Sequence, residues 1–235
     1  MANQLDLEEQ EQLDQIKHLW KQYGNLITWL LIAVLAVFAA WNGYQYWQRT
    51  QATQAAAMFD ELERVSLQGD ITKVERAFAD MKERYPRTAY AQQAGLLSAK
   101  LLHEAGKADA AAAALAWVAG AAADTGYQAV AKLRLAALFA ESKSFDQALA
   151  QLGGSFPAEF DGLVADRKGD VLALQGKPLL ARAEYERAYK ALDERVEYRR
   201  LVEVKLNALG VNPRASEALP SAAVATAPAG GGASK

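Results

Sequence analysis

The side chains able to do chemistry are few in this chain. Two histidines stand far apart, His18 and His103, and there is no cysteine. Without Cys there is no thiol nucleophile, disulfide or Fe–S ligand, and two separated imidazoles do not make a zinc or haem site. Asp166 and Asp170, one helical turn apart, are the only carboxylate pair worth testing for acid–base work. They alternate with Arg167 and Lys168, which reads as a solvated, ion-paired helix face. No Gly-x-x-x-x-Gly-Lys, Gly-x-Gly-x-x-Gly or Gly-x-Ser-x-Gly signature occurs, and no Asp-x-Asp-x-Asp-Gly loop for calcium. The expectation is a protein that is not an enzyme, with no cofactor, no metal and no small-molecule substrate.

Binding is what remains, and the elements must say of what. The net charge is -2 with no Lys/Arg run, so a nucleic-acid partner is not expected. From Gln22 to Gln48 there is no charged residue, and Leu26–Trp41 has Thr28 as its only polar side chain. At about 1.5 Å per residue the uncharged window spans roughly 40 Å, enough for a hydrocarbon core of about 30 Å with interfacial ends. Trp20 and Tyr23 stand at one end, and Trp41, Tyr44, Tyr46 and Trp47 at the other, where a membrane interface favours aromatic rings. The acidic N-terminus (Asp6, Glu8, Glu9, Glu11, Asp14) speaks against a cleaved signal peptide and for a signal-anchor. Lys17 and Lys21 before the span nearly balance Arg49 and Arg64 after it; His18 and the amino group tip the count toward an N-terminus in the cytoplasm. Leu13, Ile16, Trp20 and Tyr23 recur at helical spacing, so residues 1–21 read as an amphipathic lead-in to a span over 22–48.

Beyond the span, apolar residues fall at helical spacing in segments of about 12–16 residues, and no alternating run is long enough for a strand. Around Gly176, Gly169 lies seven before, and Ala181, Tyr185 and Ala188 lie five, nine and twelve after. Small–small–aromatic–small at those offsets is the spacing of a tetratricopeptide unit, where small residues let two helices approach. Gly106 has Ala99, Ala111 and Leu115 at matching offsets; Lys143 has Ala136, Ala148 and Leu152; Gly69 has Val74 and Phe78, with Pro86 closing the second helix. The turns are 37, 37 and 33 residues apart. Glu194–Leu209, with Val196, Leu201, Val204 and Leu206 as apolar marks, is expected to cap the stack. The reading is all-α: a helical-repeat domain over 49–209, then an Ala/Pro/Gly-rich tail over 210–235 read as disordered.

Stacked helix pairs line a concave surface with their first helices. On this register Gln93, Leu96, Lys100, His103, Leu133, Ala137, Asp166 and Asp170 are expected to face that groove, a mixed surface suited to a peptide or an extended protein segment.

The outline from about Gln15 to Leu209 resembles the YfgM-type family of proteobacterial inner-membrane tetratricopeptide proteins, ancillary to the Sec translocon. The resemblance rests on the early span and on ordered short runs. These are Ala57-Met58-Phe59-Asp60, Leu115-Ala116-Trp117-Val118, Lys132-Leu133-Arg134-Leu135-Ala136, Lys168-Gly169-Asp170-Val171-Leu172 and Ala181-Arg182-Ala183-Glu184-Tyr185. It implies a cytoplasmic N-terminus, a periplasmic repeat domain, and translocon subunits, periplasmic chaperones and emerging polypeptides as partners. It brings no catalytic residues. A structural adaptor for envelope assembly or cell division is the alternative that the residues leave open.

Overall fold

The computed structural model describes residues 7–214, with the backbone alone at 7–16 and at Leu19. The residues of the lead-in before Lys17 and those of the tail after Arg214 thus lie outside the described side chains. Among the described residues every regular element is helical: α1 (Leu7–Leu67), α2 (Ile71–Arg84), α3 (Ala89–Glu104), α4 (Ala108–Ala121), α5 (Thr125–Glu141), α6 (Phe145–Leu152), α7 (Asp161–Leu174), α8 (Pro178–Ala191) and α9 (Tyr198–Ala208), with a single 3-10 turn at Ala158–Phe160. The chain divides into two compact units after Gln54, within α1.

In the first unit α1 carries no charged residue between Gln22 and Gln48. Leu26, Trp29, Leu30, Leu35, Val37, Phe38 and Trp41 are exposed, so this is not the core helix of a folded domain. It is long and apolar enough to cross a bilayer. Two of its polar side chains are satisfied within the helix, as a medium without water demands. Thr28 Oγ1 donates to the Gly24 carbonyl at 2.8 Å, and Asn42 Nδ2 donates to the Phe38 carbonyl at 2.8 Å.

The second unit is built of helix pairs. Each pair turns on a residue in the left-handed region: Gly69 (φ 71°), Gly106 (75°), Lys143 (60°) and Gly176 (71°). The next N–H reaches back to the carbonyl five residues earlier, as in Lys107 to Leu102 (2.8 Å), Ser144 to Phe139 (2.7 Å) and Lys177 to Leu172 (2.9 Å). That closes the last turn of the first helix and reverses the chain. At Lys143 a side chain occupies a conformation that costs an L-residue roughly 1–2 kcal/mol. Pairs are joined to the next unit by capped starts: Thr88 Oγ1 accepts from Ala91 N, and Asp124 Oδ1 accepts from Gly126 N and Tyr127 N.

The register read from sequence sets the core. Val74, Phe78, Ala111, Leu115, Ala148, Leu152, Ala181 and Tyr185, five and nine residues after their turns, are all buried. At Gly169 a Cβ would overlap the Tyr185 ring, so the close approach of α7 and α8 requires glycine there.

The final helix differs from its expected form. It is shorter, and it covers the stack with Val202 and Leu206, both fully buried. Of the apolar marks expected to cover the stack, Val196, Leu201 and Val204 are exposed. The helix is rotated so that Lys205 as well as Val202 and Leu206 meets α7 and α8. After it the chain makes one more left-handed turn at Gly210 (φ 76°), with Val211 N bonded to the Leu206 carbonyl at 3.0 Å. Val211 packs against the last cluster, and Arg214 Nη2 meets Glu203 Oε2 at 2.8 Å. Packing therefore continues to Arg214, five residues into the segment that composition assigns to the tail.

Candidate protein-binding groove

The first helix of each pair, α3, α5, α7 and finally α9, presents the residues from which a groove is made. Their local structure explains which of the expected positions are open. Lys100 is exposed, with its ammonium 3.8 Å from Glu104. His103 Nε2 lies 3.3 Å from Glu141 Oε2, joining α3 to α5 across the surface. Gln93 Nε2 donates to Tyr127 Oη at 2.6 Å, a second tie between the same helices. Ala137 lines a cleft of about 430 Å³ together with Ala140, Glu141, Arg167, Asp170, Ala173, Leu174 and Tyr185. Its floor is small and apolar; Arg167, Asp170 and Glu141 give it charged edges.

The remaining expected positions are covered to different degrees. Leu96 is buried in the core formed by α1, α2, α3, α4 and α5. Leu133 is half-buried against the cluster of Ala136, Ala140, Ala148, Leu152, Val164 and Val171. Asp166 is wholly buried. The reason is common to the three. They sit ten residues before their turns, where each first helix meets the first helix of the following unit instead of solvent.

Asp166 and Asp170 are the largest departure from the solvated face expected of them. Lys205 Nζ, from α9, donates to both oxygens of Asp166 at 2.8 Å and to Asp170 Oδ1 at 2.6 Å. Tyr198 Oη donates to Asp166 Oδ2 at 2.6 Å, and Tyr185 Oη donates to Asp170 Oδ1 at 2.9 Å. Arg167 is 3.5 Å from Asp170 on the open side. Two carboxylates, one ammonium and two phenols thus form one network in which every buried charge has a partner. Burial, and after it the neighbouring carboxylates, hold both phenols well above their ordinary 10.0. Groups tied up in this way fasten α9 to α7 and α8. Lys205 and Tyr198 are the members that motif reading misses. The signal was available: the buried stripe of α9 runs Tyr198, Val202, Lys205, Leu206, and a lysine on an apolar stripe asks for a buried anion.

Among the described residues no group of three or more His, Asp or Glu side chains is placed to hold a metal ion. The arrangement offers helix faces, an apolar cleft and charged edges, which suit recognition of a protein segment.

Comparison with known proteins agrees with the architecture. Residues 17–211 match a family described as a tetratricopeptide repeat-like domain. An "Ancillary SecYEG translocon subunit" of Neisseria gonorrhoeae is 30% identical over 204 residues, covering 86% of this chain and 98% of that protein. A protein of the same name in Haemophilus influenzae is 28% identical over 185 residues, covering 79% and 90%.

Proposed function

Since the chain belongs to the tetratricopeptide repeat-like family and within it to the YfgM-type proteins, we propose that it serves as an ancillary subunit of the Sec translocon in the inner membrane. In this reading α1 anchors the chain with its N-terminus in the cytoplasm. The repeat domain stands on the periplasmic side, where it binds emerging polypeptides and works beside periplasmic chaperones. The observation that carries the proposal is the match to relatives so named along nearly their whole length, span and repeats together. The groove supports it. Its open stretch, from Lys100 and His103 on α3 through Ala137 and Glu141 on α5 to Arg167 and Leu174 on α7, is a surface of mixed apolar and charged side chains.

The mechanism is confinement. A single weak groove tethered to the membrane meets its partners at a raised effective concentration, so modest contacts suffice. Helix faces give the partner register, and the small floor at Ala137, Ala140 and Ala173 admits one apolar side chain of a bound segment. The test is co-isolation. The full-length chain, extracted in mild detergent, is expected to carry translocon subunits with it. Filling the cleft by Ala137→Arg is expected to reduce crosslinks to emerging polypeptides while leaving the anchor untouched. A chain that brings down no translocon subunit under conditions that preserve the translocon itself contradicts the reading.

A further inference from the structure

The repeats act as controls for one another, and one turn departs from the rest. The second helix of each pair begins two residues after the left-handed position, and the places three and four residues after it lie in its first turn. Those places hold Thr72 and Lys73, Asp109 and Ala110, and Asp146 and Gln147 in the first three pairs. In the fourth they hold Leu179 and Leu180, 81% and 55% exposed. Lys177 and Pro178, just before them, are exposed as well. Leu174, two residues before Gly176, is 62% exposed but is matched by Leu67 (89%) at the same offset in the first pair, so the contrast lies in Leu179 and Leu180. Neither Leu179 nor Leu180 belongs to a core cluster. The same turn is made elsewhere in this chain with polar residues, so folding does not demand leucines here, and a contiguous exposed apolar patch marks a docking surface.

The charge around the patch says what kind. From Val171 to Ala183 there is no carboxylate. Arg182 is held by Glu186 at 2.8 Å, whereas Lys177 has no acidic partner among the described residues. The neighbouring turn, which shares a cleft with Gln175, offers Lys143 and Asp146, whose charges offset each other. A reversed turn of this kind is convex, so a protein partner would need a pocket to receive it. An anionic lipid surface needs none: leucines enter the acyl boundary while a lysine ammonium stays with the headgroups. The span in α1 provides the surface, because it ties the whole chain to a bilayer.

We propose that the α7–α8 turn, through Leu179, Leu180 and Lys177, docks into the headgroup layer of an anionic membrane. This goes beyond the translocon reading and does not depend on it. Docking would limit the orientations of the repeat domain and so fix which way its groove opens.

The chain contains no cysteine, which makes the test direct. Full-length Leu179→Cys is labelled with an environment-sensitive dye and reconstituted in vesicles of phosphatidylethanolamine and phosphatidylglycerol. Asp146→Cys, at the same offset in the preceding pair, is the control. The expected result is a blue-shifted emission at position 179 and several-fold stronger quenching by lipid-borne nitroxides there than at 146. Lys177→Glu should reduce that quenching. Equal lipid quenching at the two positions overturns the proposal. So does a blue shift at 179 without lipid quenching, since that would mean the patch is covered by protein, a second copy or another partner.

Discussion

Lys205 is the residue on which the end of the domain depends. Its ammonium is the main counter-charge for a fully buried carboxylate and also bonds Asp170. Lys205→Met is expected to cost about 3 kcal/mol, the low end for orphaning a buried charge because Lys205 keeps some exposure. Urea unfolding of the repeat domain reads this, and combining Lys205→Met with Asp166→Asn and Asp170→Asn should recover much of the loss. The phenols of the same network predict a pH dependence. Tyr185 and Tyr198 hold their protons more tightly when folded than when unfolded, where the ordinary value is 10.0. Above about pH 10 the unfolded chain therefore binds fewer protons than the folded one, and stability falls as pH rises. Below that value their contribution is fully present. Denaturation midpoints at pH 9 and pH 11 should show the drop, and Tyr198→Phe should diminish it. At the two backbone-limited positions the signs are opposite. Gly169→Ala forces the buried Tyr185 ring aside and should destabilise by about 1–3 kcal/mol. Lys143→Gly relieves a left-handed lysine and should stabilise by up to about 1 kcal/mol.

At the scale of elements, much was legible in the sequence and for identifiable reasons. A turn that needs a left-handed residue selects glycine or leaves a polar break between two apolar helices, so Gly69, Gly106, Lys143 and Gly176 could be found by eye. The small and large residues five and nine positions on are buried because a helix that starts at a fixed turn has a fixed phase. The apolar character of α1 was legible for another reason: a stretch without charge around its whole circumference suits a bilayer or a deep core. What the sequence hid is rotation about a helix axis between units. Leu96, Leu133 and Asp166 share an offset that local periodicity assigns to a groove, yet the next unit covers them. Lys205 meets Asp166 across 39 residues, and no local pattern encodes a pairing of that range. Gly210 repeats the turn geometry of the other four, but the abrupt change of composition beyond it led to the tail being drawn too early. At a helix start, Asp124→Ala should cost about 1 kcal/mol through the loss of two bonds to the first turn of α5. Thermal unfolding in detergent would measure it.

For the whole molecule, the division of labour follows from two kinds of surface. One helix exposes apolar side chains on all sides and has a bilayer as its natural solvent. The repeat domain buries its apolar residues in three clusters and shows a mixed groove. On the proposed reading, function rests on where the groove is held and what it meets. The proposal that it is held on the periplasmic side is the claim on which the translocon reading stands. It is tested most directly by placing one cysteine at exposed Lys100 in this cysteine-free chain and exposing intact spheroplasts to a membrane-impermeant maleimide, with a cytosolic cysteine protein as control. Labelling of Lys100→Cys while the cytosolic control stays protected is the expected result. Protection of position 100 until the membrane is lysed would place the groove in the cytoplasm and contradict the account.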